Sequence, residues 1–152
     1  MDSLHYGNIQ GIPMEKRDIL LNMRGEYSAD LPFAPKLELY AEGTLSKKDG
    51  AYIIEYSEDK MPGGINLRVV IKDEEVRMQC SGEVDTDFLF TKKQCFLTAY
   101  PAEDGIAEVI IFPHDIQSRL SPECGTIDMD YTIRFGDKSA YNKLTIDYKS
   151  RN

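Results

Sequence analysis

Apolar side chains fall at every second position in segment after segment of this chain, and no other feature of the sequence constrains its fold as strongly. In Ile127 to Phe135, IDMDYTIRF, five apolar residues alternate with Asp128, Asp130, Thr132 and Arg134. Leu37, Leu39, Ala41, Gly43 and Leu45 share one face of LELYAEGTL, and Ile65, Leu67, Val69 and Ile71 share one face of INLRVVI. Val76, Met78, Cys80, Gly82 and Val84 do the same in VRMQCSGEV, and Leu144, Ile146 and Tyr148 repeat the theme near the C-terminus. Successive side chains of a strand point to opposite faces, whereas a helix gathers residues three and four apart. No long segment keeps the helical spacing, so the pattern predicts an all-β chain.

Turn signals separate the runs: Lys48-Asp49-Gly50, Pro62-Gly63-Gly64, Lys72-Asp73-Glu74, Lys92-Lys93, Glu103-Asp104-Gly105, Pro122 to Gly125 and Gly136-Asp137. Connections this short cannot carry the crossovers that parallel strands need, so each strand pairs antiparallel with its neighbour in sequence. About 8–10 strands fit the template. With one apolar face throughout they share one interior, and an up-and-down meander barrel removes the exposed edges. Pro113 interrupts the apolar stretch IAEVIIF before HDIQSRL, where a bulge would re-aim the second half.

A chain of 152 residues is most simply one domain with its own core. Residues 14–152 are expected to form the barrel and residues 1–13, MDSLHYGNIQGIP, a flexible leader, with Met14 as an alternative start. The leader lacks the basic opening and apolar run of a secretory signal, which makes the expected location cytoplasmic, and no continuous apolar stretch reaches membrane-spanning length. Cys80, Cys95 and Cys124 form no short metal-ligand spacing and fit reduced thiols. The net charge of -8 opposes nucleic-acid phosphates and anionic membranes, so neither is an expected partner. Lys47-Lys48 and Lys92-Lys93 read as solvated hairpin tips.

The order of segments, RDILLNMRG, then LELYAEGTLSKKDGAYIIEY, VRMQCSGEVDTDFLF and CGTIDMDYTIRF before a last strand, resembles the YwiB-like family of small uncharacterised bacterial proteins. The resemblance runs from about Met14 to the final strand. It implies a lipocalin-like, or calycin-like, β-barrel. It brings no activity, substrate or catalytic residue.

The residues themselves offer little fixed chemistry. There is no GxSxG elbow, Gly63-Gly64 lacks the Lys and helix of a phosphate loop, and the acidic pairs Asp85/Asp87 and Asp128/Asp130 lack Ca²⁺-loop spacing. No catalytic, cofactor or metal residue is therefore assigned. A strand unbroken at Pro113 would place Ile106, Glu108, Ile110, Phe112, His114 and Ile116 on one face and carry a carboxylate and an imidazole inside the barrel; a bulge there would leave His114 in water. Phe88, Phe90, Met129, Tyr131, Glu108 and His114 are the candidate cavity-lining residues. Ala107, Val109 and Ile111 make the same strand apolar on its other face too, which calls for a cover over its exterior: the leader, or a second subunit in a homodimer through the 106–112 strand. Three readings stay open. The chain is a non-enzymatic barrel binding a small apolar or amphipathic ligand, a filled barrel serving as an interaction module, or a cofactor-free enzyme using an inward Glu108, His114, Tyr131 or an arginine.

Overall fold

A computed structural model describes residues 14–27, 38–58, 64–82, 85–102 and 105–151. Expectations for the leader fall outside these residues. The described residues form ten strands: β1 (Met14–Tyr27), β2 (Glu38–Lys48), β3 (Ala51–Glu58), β4 (Ile65–Lys72), β5 (Glu75–Gly82), β6 (Thr86–Phe90), β7 (Phe96–Ala102), β8 (Gly105–Leu120), β9 (Cys124–Phe135) and β10 (Lys138–Ser150). All pair antiparallel in one sheet ordered β6-β5-β4-β3-β2-β1-β10-β9-β8-β7. The fold is all-β, an up-and-down, lipocalin-like barrel.

Local chemistry sets the hairpins. At the β2–β3 tip Asp49 (φ 53°) and Gly50 (φ 81°) both take positive φ, the backbone of a two-residue turn whose twist matches its flanking strands. β1 is the hinge of the whole arrangement, because it pairs β2 on one side and β10 on the other, with Met23 opposite both Leu39 and Ile146. The first and last strands thus each have a paired neighbour on both sides. The gap in the ring lies instead between β6 and β7, which are consecutive in sequence and touch without sharing a ladder.

The alternation converts directly into a core. Ile19, Leu21 and Met23 of β1, Ile127, Met129, Tyr131 and Ile133 of β9, and Leu144, Ile146 and Tyr148 of β10 are all buried, and among the described residues every strand except β7 adds at least one buried side chain to the same cluster. β7 contributes half-buried Phe96. Each large aliphatic or aromatic side chain removed from water stabilises the fold by about 1.5–3 kcal/mol before conformational entropy is counted.

β8 carries the bulge that Pro113 foreshadows. Its register with β9 slips between Pro113, opposite Tyr131, and Asp115, opposite Asp130. Before the slip the odd-numbered Val109 and Ile111 point inward; after it the even-numbered Ile116 does. One extra residue, His114, switches the parity so that both halves of the strand present apolar side chains to the core.

Candidate functional site

Among the described residues, only two buried side chains are polar, Thr91 and Asn142, and none is charged. Thr91 is accounted for by the β6–β7 connection, where its Oγ1 accepts a hydrogen bond from the Lys93 amide at 3.3 Å. Asn142 is different. It lies on β10 in the inward row Ala140, Asn142, Leu144, Ile146 and Tyr148, is fully buried, and neither its Oδ1 nor its Nδ2 has a hydrogen-bond partner. Its direct neighbour on β9 is Tyr131, whose ring meets Phe90 of β6 edge-on with centroids 4.8 Å apart. Phe88 continues the aromatic group, 6.5 Å from Phe90 and also edge-on. The arrangement is an apolar, partly aromatic interior with one orphaned carboxamide.

Four of the sequence-derived candidates meet here. Phe90, Met129 and Tyr131 are buried and Phe88 is half-buried against the core. Glu108 and His114 do not join them, and this corrects the expectation that they line the interior. Both are exposed. Glu108 faces out because the uninterrupted apolar row of β8 is Ala107, Val109 and Ile111, and turning the strand over would bury an unpaired carboxylate. His114 is the bulge residue; its Nε2 sits 2.7 Å from Thr132 Oγ1 and its ring 6.0 Å from that of Tyr141, both on the outer face. Leu97 of β7 is likewise outside, 60% exposed. Asn142 is not among the sequence-derived candidates, although it stands in phase with Leu144, Ile146 and Tyr148, a polar residue in an apolar row.

The outer surface carries a separate concavity of about 680 Å³ across β2, β1 and β10, lined by Leu20, Asn22, Tyr40, Glu42, Asp147 and Lys149. Asn22 Oδ1 is buried there without a partner, while the Tyr40 ring is 70% exposed. The acidic pairs are occupied by ordinary surface contacts. Asp87 accepts two hydrogen bonds from Arg77, at 2.9 and 3.2 Å, and Asp128 accepts one from the Thr145 hydroxyl at 2.9 Å. Among the described residues no group of three or more His, Cys, Asp or Glu side chains is placed to hold a metal ion.

Burial perturbs titratable groups of the barrel wall. Tyr148 is pushed well above the usual phenol value, chiefly by burial, and its hydroxyl donates to the Ser121 carbonyl at 2.7 Å. The Cys80 thiol is also raised, by burial first and by nearby Asp85 second, which disfavours the nucleophilic thiolate. Cys80, Cys95 and Cys124 are all free. Among the described residues no helix is long and apolar enough to cross a membrane.

Comparison with known proteins adds a family and a fold. A family model described as a domain of unknown function (DUF1934) matches residues 16–146. A crystal structure of the ywiB protein from Bacillus subtilis superposes with a TM-score of 0.76 at 22% identity, covering 91% of this chain and 96% of that one. No curated protein matches the chain significantly.

Proposed function

This chain belongs to the DUF1934 family, and we propose that its barrel is a non-enzymatic binder of a small, mainly apolar ligand held in the interior. One observation carries the reading: Asn142 is buried among apolar side chains with both ends of its carboxamide unpaired. Buried polar groups in folded proteins are almost always satisfied, and leaving one unpaired costs about 1–3 kcal/mol, a cost borne by sites that meet a partner later. The unladdered seam between β6 and β7 supports the same reading, since strands that are not paired in the sheet part without breaking a ladder. Phe90 stands on β6 at that seam, and half-buried Phe96 stands on β7. Free thiols at Cys80, Cys95 and Cys124 support a cytoplasmic setting for this activity. Solvent extraction of the purified native protein followed by mass spectrometry tests the reading. A reproducible stoichiometric small molecule is expected; an empty preparation that no apolar probe stabilises would sink it.

A second reading, association through the outside of β8, is favoured by a different observation. Ile106 and Phe112 are 79% and 37% exposed there, with Leu97 beside them on β7. Sedimentation velocity is expected to show a dimer that dissociates when Phe112 is replaced by Asp. A wild-type monomer at high concentration would remove this reading and leave the first intact. The enzymatic reading loses its geometry, because Glu108 and His114 face outward while Tyr131 faces in.

A further inference from the structure

We propose that the ligand is a neutral, largely apolar molecule bearing an amide-like edge, a hydrogen-bond donor and an acceptor side by side, and that Asn142 reads that edge. The inference rests on the interior-binding reading above.

The chemistry of the orphaned side chain selects the class. A carboxamide presents an accepting oxygen and a donating nitrogen in one plane, and at Asn142 both are unused. A hydroxyl, ether or ketone approaching this plane satisfies one of the two atoms well. A primary amide, lactam or urea edge satisfies both at once, because its own donor and acceptor stand at the complementary spacing. Position 142 also lies where an apolar residue would continue the pattern of Ala140, Leu144 and Ile146, so packing alone gives no reason for Asn there.

Charge narrows the class further. Among the described residues the buried set includes no Lys, Arg, His, Asp or Glu. A carboxylate brought into this interior would leave water without a compensating cation, which is strongly unfavourable. The ligand is therefore neutral, although fatty acids share its apolar body. That body would lie against the aromatic pair Phe90 and Tyr131, with buried Ala140 two positions from Asn142 along β10.

The test uses the full chain near neutral pH with octanamide, octanoate and octanol as probes, read by calorimetry and thermal shift. The wild type is expected to bind octanamide at least about ten-fold more tightly than either other probe, the scale of one or two buried hydrogen bonds. Asn142→Leu is expected to melt at a higher temperature than wild type and to bind octanamide no better than octanol. A direct reading on the wild type keeps the test independent of that variant: the Asn142 side-chain NH₂ resonances in a ¹⁵N-correlated NMR spectrum should shift on titration with octanamide. Octanoate binding as tightly as octanamide, an Asn142→Leu protein that keeps the amide preference, or Asn142 resonances that stay still at saturation would each overturn the inference while leaving an apolar binder standing. Failure of all probes to bind, with no molecule extracted from the native protein, would remove the interior-binding reading and this inference with it.

Discussion

Gly125 and Tyr148 are direct partners across β9 and β10, and a Cβ on Gly125 would lie 2.5 Å from the Tyr148 ring. The ring cannot easily yield, because its hydroxyl is tied to the Ser121 carbonyl at 2.7 Å. Nearby, Ser121 and Cys124 bond each other through backbone and side chain, and Arg17 donates to the Pro122 carbonyl at 3.1 Å, so this end of the barrel is a stapled corner. Gly125→Ala is expected to destabilise the protein by about 1–3 kcal/mol, the usual cost of overpacking. Urea denaturation checks it, and an unchanged midpoint would mean that the tyrosine ring moves freely.

Tyr148 also predicts alkaline behaviour. Burial raises its folded value above the ordinary 10.0, so the native state holds this proton where the unfolded chain releases it. Its contribution is present in full below about pH 10 and is lost as pH rises through the folded value. Tyr148→Phe should flatten that alkaline loss and cost about 1 kcal/mol at neutral pH, from the hydrogen bond to Ser121. Denaturation midpoints measured from pH 7 to 11 for both proteins decide it; parallel curves would contradict the assignment.

Phe90 is the aromatic anchor of β6, 2% exposed and edge-on to Tyr131. Because β6 has a paired neighbour only in β5, loss of this ring removes most of what holds the strand over the core. Phe90→Ala is expected to cost about 3–5 kcal/mol. Half-buried Phe88 should cost less on the same truncation, and equal losses from equilibrium unfolding would show that the seam is not organised around Phe90.

Deletion of His114 should leave the barrel folded. Without it Pro113, Asp115 and Ile116 would face Tyr131, Asp130 and Met129 in an unbroken ladder, with Ile116 still inward. Deletion of Ile110 is expected to prevent folding, because it reverses the parity of the preceding strand and turns Glu108 toward the core. Circular dichroism and proton NMR dispersion of the two deletions test the pair, and comparable spectra would show that parity in β8 matters little.

Much of this barrel is legible in the sequence. IDMDYTIRF and INLRVVI become half-buried strands because a period of two leaves one face for the core, and Lys48-Asp49-Gly50 becomes a hairpin tip because its φ angles suit Asp and Gly. The inward places of Phe90, Met129 and Tyr131 follow from the same alternation. The phase of β8 did not follow, since IAEVIIF is apolar on both faces and local pattern cannot choose between them. The burial of Asn142 did not follow either, because a polar residue between small Ala140 and Leu144 reads locally as a break in the apolar row.

Strand identity, antiparallel pairing and the existence of a common interior belong to the sequence by itself, since alternation and short turns act over a few residues. The β1–β10 pairing, the seam between β6 and β7, the parity switch at His114 and the complete burial of Asn142 were decided only in the tertiary structure. Each depends on contacts between residues far apart in the chain, and the burial of a side chain is a property of what surrounds it rather than of its neighbours in sequence.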